Sequence, residues 1–231
     1  MSSDLPDLPD LSVSRSTTVE RVADVLRSAL LSGDIAPGKA LREVELADRM
    51  KVSRGSVREA FVRLTEEGLL RRTSFRGVEV KRLTKDEVRD LFVARKLIEL
   101  SAVDAAGAAN RSTLGDLNRA VEEFSEAIGH GSAVDQNRAD IAVHAALVGS
   151  LHSPRLSRVH RDLMSELQLA LAAQYRRTET IPGGRLANRH EEFLRMLVGG
   201  DVVGARTQLE SRLDLAEQLL LEISWSEAAG S

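Results

Sequence analysis

A chain of 231 residues with 42% hydrophobic side chains suits one or two compact domains rather than a disordered chain, and two is the better expectation. It has no cysteine, which excludes a disulfide framework and thiol catalysis, and its formal net charge of −3 gives no hint of a nucleic-acid partner. No apolar run approaches the roughly 18 residues of a membrane span and the acidic start lacks the basic onset of a signal peptide. The expectation is a cytoplasmic protein with no membrane partner.

The net charge conceals a division. Residues 1–14 hold Asp4, Asp7 and Asp10 and no basic side chain, residues 15–83 hold 15 Lys plus Arg against 10 Asp plus Glu, and residues 84–231 hold 17 against 22. A basic module joined to an acidic one is the asymmetry expected when only the first faces phosphate. Residues 1–14, with two prolines and no period, read as a disordered tail. Residues 15–83 then form one domain and residues 84–231 another.

In chain order, Val19, Val22, Ala23, Leu26, Leu30 and Leu31 make an apolar stripe over a helix from Thr17 to Ser32, which Gly33 ends. A turn at 34–38 leads to a shorter helix over 41–51 with Leu41, Val44, Leu46 and Ala47 apolar. Met50, Lys51 and Val52 turn the chain into a third helix over 52–70, capped by Ser53, closed by Gly68, and apolar at Val57, Phe61, Val62 and Leu64. Two strands, Leu69–Thr73 and Val78–Lys81, follow around a turn at Ser74, Phe75, Arg76 and Gly77. This is helix-turn-helix spacing with a wing. The exposed front of the third helix carries Ser53, Arg54, Gly55, Ser56 and Arg58, short hydroxyls for phosphates and long guanidiniums for base edges. With Arg42 in the second helix, and Arg76 and Gly77 at the wing tip for the minor groove, these are the candidate DNA-contacting residues.

The spaced combination SGDIAPG, LADRM, VSRGSVREA, EEGLL and RGVEV, across residues 19–83, resembles the winged-helix domain of the GntR family of bacterial transcription regulators. The resemblance implies a ligand-responsive regulator, most often a repressor, that binds a palindromic double-stranded operator as a homodimer. Some relatives carry an Arg where this chain has Val44.

From Thr84 onward the pattern is helical only. TKDE opens a helix from Thr84 to Asn110 with Val88, Leu91, Phe92, Leu97, Ile98 and Val103 inward, and helices follow over 112–128, 133–150, 154–177, 184–198 and 201–225. The fold class expected is therefore mainly α: an N-terminal winged helix-turn-helix domain and a C-terminal all-helical bundle of six to seven helices. Asp140 and His144, at i and i+4, share a helix face, and a His on another helix would finish three corners of a site. Such donors suit zinc, nickel or manganese; the alternative is a buried polar cluster with no metal. Arg95 and Glu99 have the same spacing, as an ion pair or as pocket residues, while His130, His152 and His160 read as loop or surface residues.

Over 88–225, VARKLIEL, DIAVH with SLHSPRL, and NRHEEFLRMLVGGD resemble the FCD effector domain of the FadR branch of that family. Many members hold a divalent metal with an Asp, the His four residues later and two further His. Asp140, His144 and His190 match three of those positions, and Arg212 occupies the last. Guanidinium is cationic and has no lone pair to offer, so it opposes a metal and favours an anion. The implied effector is a small organic or sugar acid at Arg95, Asp140, His144, His190 and Arg212. No catalytic residue is expected. Two other readings stand beside this one: a metal-dependent helical enzyme fused to a DNA-binding module, though no HExxH or GxSxG accompanies the donors, and a DNA-binding protein without an effector.

Overall fold

A computed structural model of the chain describes residues 18–73, 77–108, 114–130, 132–175 and 184–226, with side chains at 108, 133, 134, in 172–188 and beyond 222 outside the description. Its elements are α1 (Thr18–Leu31), β1 (Ala40–Leu41), α2 (Glu43–Met50), α3 (Arg54–Glu66), β2 (Leu70–Thr73) and β3 (Gly77–Val80). They continue as α4 (Lys85–Ala108), α5 (Gly115–His130), α6 (Ala133–Gly149), α7 (Pro154–Tyr175), α8 (Gly184–Gly199) and α9 (Val202–Ser226). The tail expected at 1–14, and Arg76 at the wing tip, lie outside the described residues.

Local chemistry explains where the reading helix begins and ends. Ser53 takes an extended conformation and its hydroxyl accepts the Ser56 N–H at 3.0 Å, satisfying one of the donors that a helix start leaves open. Lys51, in the left-handed region at φ 56°, makes the sharp turn between α2 and α3. Gly68, at φ +75°, ends the α3 region, and a Cβ there would collide with the Glu166 carboxylate from α7. Thr84 and Glu87 form a reciprocal cap on α4, with N–H to side-chain distances of 2.8 and 3.2 Å.

The sheet has order β1-β3-β2, all antiparallel, so β3 is central. The third strand, β1, was not expected; its two residues are too short to show a period, and pairing of Ala40 with Glu79 and Leu41 with Val78 defines it. Across β2 and β3, Arg71 stands opposite Glu79 and donates to it at 2.6 Å.

Two apolar clusters result. Val22, Ala23, Leu26 and Leu30 of α1 pack on Val57, Ala60, Phe61 and Leu64 of α3, closed by Leu69, Leu70 and Val80. Three side chains expected inside are not: Val44 is 45% exposed, Val62 36% and Leu97 68%. In α3 the buried face passes through Ala60, since the 3.6-residue period places Val62 beyond its edge. On α4 the polar pair Arg95 and Glu99 takes the inward stripe and turns Leu97 out.

The second cluster joins α4 to α9 around Phe92, Val103, Leu117, Phe124, Leu147, Met164, Phe193 and Leu209. Helix α7 belongs to both. Its Met164 and Leu167 lie in the bundle core, while Leu169, 2% exposed, belongs to the core of the winged unit. Beside it Lys81 donates to Glu166 at 2.7 Å.

Candidate functional site

Five bundle helices each send polar side chains into one buried centre. From α4 come Arg95 and Glu99, 2% and 0% exposed; from α6 Asp140 and His144; from α7 His160; from α8 His190; from α9 Arg212. Glu99 is the hub. Its Oε1 accepts from Arg95 Nε at 2.8 Å and lies 2.9 Å from His160 Nε2, while its Oε2 lies 2.7 Å from His144 Nδ1. Burial alone would push this carboxyl upward, yet the Arg95 charge and the His144 contact hold it well below the ordinary carboxylate range. Arg95 also lies over the Phe92 ring, 5.3 Å from its centroid.

The other half of the centre is Asp140, His190 and Arg212. His190 Nε2 is 3.1 Å from Asp140 Oδ1 and 2.5 Å from Arg212 Nη2, and Arg212 Nη2 is 3.7 Å from Asp140 Oδ1. One imidazole nitrogen either accepts or donates, so it serves Arg212 through its lone pair or Asp140 through a proton. Nε2 thus stands between the guanidinium and the carboxylate, and the tautomer decides which of the two it serves. Against the cost of burial, His190, His144 and Arg212 together hold the Asp140 carboxyl below its ordinary value. Burial pushes His144 down despite the pull of Glu99, and burial likewise lowers Arg212. Phe124 of α5 closes one side, its ring centroid 4.4 Å from that of His190.

Arg95, Asp140, His144, His190 and Arg212, named from the sequence as effector residues, thus meet in one place. Two members were missed. Glu99 was legible as the partner of Arg95 but not as the acceptor for two histidines. His160 was assigned to a loop or the surface and is 1% exposed, a correction whose cause is long-range pairing with Glu99 across 61 residues. Its spacing from Met164 and Leu167, i+4 and i+7, was the available signal.

The ligand atoms of Asp140, His144 and His190 lie within 4.8 Å of one another, so three donors are within reach of a common point. Tetrahedral zinc with bonds of about 2.0–2.1 Å needs donors about 3.3 Å apart. His144 Nε2 to Asp140 Oδ2, at 3.8 Å, must contract to meet that.

On the opposite unit, Arg54, Gly55 and Arg58 are exposed along the front of α3, Arg42 precedes α2, and Gly77 opens β3. Arg58 is 65% exposed but engaged: its Nε and Nη2 donate to the Glu43 carboxylate of α2 at 3.1 and 2.8 Å. Hydrogen bonding from Arg58 lowers the Glu43 carboxyl even against desolvation, and Arg72 and Arg54 add to it. Arg72, exposed on β2, is a basic residue of this face that the sequence reading did not single out.

No described helix is long and apolar enough to cross a membrane. The profile of "Bacterial regulatory proteins, gntR family" matches residues 18–80, and that of the "FCD domain" matches residues 90–215. The gluconate operon transcriptional repressor of Bacillus licheniformis is 28% identical over 190 residues, covering 82% of this chain and 75% of its own length. The Nta operon transcriptional regulator of Aminobacter aminovorans is 34% identical over 135 residues, covering 58% and 64%. A crystal structure of a putative GntR transcriptional regulator from Rhodococcus sp. RHA1 superposes with a TM-score of 0.76 at 27% identity, covering 90% of this chain and 99% of that one.

Proposed function

Because the chain belongs to the GntR family of bacterial regulatory proteins, DNA-binding transcription regulators, with an FCD domain as its second unit, we propose that it is a cytoplasmic homodimeric repressor whose DNA grip a small organic or sugar acid modulates. The domain boundary falls between Leu83 and Thr84. One reading helix spans only a few base pairs, so a two-fold dimer on a palindromic operator supplies the affinity. Val93 and Leu97, 55% and 68% exposed on the outer face of α4, support a partner copy there. Arg54 and Arg58 read base edges, Ser53 and Ser56 contact phosphates or edges, Arg42 and Gly55 flank them, and Arg76 with Gly77 enters the minor groove. No residue is assigned a catalytic role.

The observation that carries the anion reading is Arg212 Nη2, 2.5 Å from His190 Nε2. The guanidinium crowds the nitrogen that a metal would need and brings a positive charge to where a metal would sit, so Asp140, His144 and His190 do not fit a divalent cation with Arg212 in place. A ligand carboxylate suits this cation, with Arg95 on the far side of Glu99 adding to the positive potential. The gluconate repressor among the relatives recommends gluconate as the first probe.

The test uses full-length protein, a duplex selected from random sequence, and gluconate. Arg58→Ala should weaken the selected duplex by about 1–3 kcal/mol and relax preference at one base pair per half-site. Arg212→Ala should keep DNA affinity and lose the gluconate response. Unchanged selectivity in Arg58→Ala sinks the reading helix. A full equivalent of zinc, nickel or manganese retained through dialysis sinks the anion centre.

A further inference from the structure

Between α6 and α7 lies a cleft of about 310 Å3 whose lining includes none of Arg95, Glu99, Asp140, His144, His190 and Arg212. Ile141 and Ala145 of α6 and Met164 of α7 form its apolar wall, and Ser157, His160, Arg161 and Gln168 of α7 supply polar groups. Among the described residues, the Ser157 hydroxyl, the Gln168 amide and the Arg161 guanidinium have neither a hydrogen-bond partner nor an ion pair.

His160 is the second observation. The residue is 1% exposed, lines the cleft, and holds Nε2 2.9 Å from Glu99 Oε1, which leaves Nδ1 as the ring nitrogen open to a ligand. In the tautomer that places the proton on Nε2, facing the Glu99 oxygen, Nδ1 carries the ring's lone pair and accepts. Whatever occupies the cleft should therefore bring a hydroxyl or N–H to His160, an anionic group to Arg161, and an apolar body for Ile141, Ala145 and Met164.

We propose that the α6–α7 cleft is a second small-molecule site, built for a small carboxylate that also carries a hydroxyl and an apolar body. It does not depend on an anion binding at Arg212. The two places communicate through one carboxylate, because Glu99 holds His160 with one oxygen and His144 with the other. They also bear on the DNA-binding unit through α7, which buries Leu169 in the winged core and pairs Glu166 with Lys81. A ligand seated against His160 thus presses on the helix that carries the winged unit.

Mandelate has all three features, and phenylacetate lacks only the hydroxyl. Titration calorimetry on the full chain should show saturable binding of one mandelate per chain and about tenfold weaker binding of phenylacetate, the loss of one buried hydrogen bond. Ala145→Phe fills the cleft and Arg161→Gln removes its cation; both positions are exposed, so both variants fold. Each should lose mandelate binding, and Arg212→Ala should retain it. Mandelate binding lost in Arg212→Ala but kept in Ala145→Phe would place the ligand in the Asp140 centre and overturn the second site. Equal affinities for mandelate and phenylacetate would remove His160 from recognition, and no saturable binding up to about 10 mM would overturn the ligand class.

Discussion

Leu169 offers a direct test of how the two units are joined. It lies on a bundle helix, but its side chain, 2% exposed, fills the core built by α1, α3 and the wing strands. Leu169→Ala removes three carbons, a transfer loss of about 2 kcal/mol, and leaves a void that a seam between two units closes only in part. The expected cost is about 2–4 kcal/mol, and its location matters more than its size. Native-state hydrogen exchange should show reduced protection for amides at 57–64 and 77–80 of the winged unit, while amides of α5 and α8 keep theirs. Glu166→Gln, which breaks the partly exposed pair with Lys81, should act in the same region with a smaller effect. A loss below about 1 kcal/mol for Leu169→Ala, or equal loss of protection in α5 and α8, would refute the claim that α7 completes the winged core.

Two further perturbations separate charge from packing. His144 is held below its ordinary value, so the unfolded chain takes up a proton that the fold resists, and stability should fall as pH drops through about 6.5. Glu99 and Asp140, also held low, contribute stability above about pH 4.5 that is lost on further acidification, giving a second decline; urea titrations between pH 8 and about 2.5 that show a flat profile would contradict both. Glu43 sits among Arg58, Arg72 and Arg54, so Glu43→Gln should strengthen binding to random-sequence DNA and steepen its log–log salt slope by about 0.9, while weakening discrimination because Arg58 loses its brace. Fluorescence anisotropy at three salt concentrations reads both effects, and an unchanged slope would show that Glu43 does not face the duplex.

The winged unit was legible because its signals are local. Ser53, Gly68, the Lys51 turn and the periodic side chains of α1 and α3 each act within a few residues, and the observed elements begin and end within about two positions of the expectation except at the end of α3, which stops at Glu66 rather than at position 70. Strand β1 escaped because two residues have no period and their partners lie nearly forty positions away. In the bundle, Asp140 and His144 were readable at helical spacing, whereas Glu99 and His160 acquire their role only when α4, α6 and α7 meet. The domain-bridging Leu169 looks like any inward leucine of α7; nothing in its neighbours says that the core it enters belongs to the other unit.

Among its arginines and carboxylates, the buried centre sets two cations, Arg95 and Arg212, against two anions, Glu99 and Asp140. A divalent cation would add two charges to that balance, whereas an anion adds one and must compete with Asp140 for Arg212. The competition gives opposite predictions for the two readings of the centre. If an acid is gripped by Arg212 directly, Asp140→Asn removes a rival carboxylate 3.7 Å from the guanidinium and gluconate should bind more tightly. If the acid is instead held through a metal, Asp140 is one of the metal's donors, and the same substitution should abolish binding along with the metal. Asp140→Asn is nearly isosteric and its side chain is 34% exposed, so misfolding does not obscure the comparison. Calorimetric titration of gluconate into both proteins, treated with chelator and then repeated with added zinc, decides it: tighter binding without metal supports the guanidinium, and loss of binding restored in the parent only by zinc refutes it.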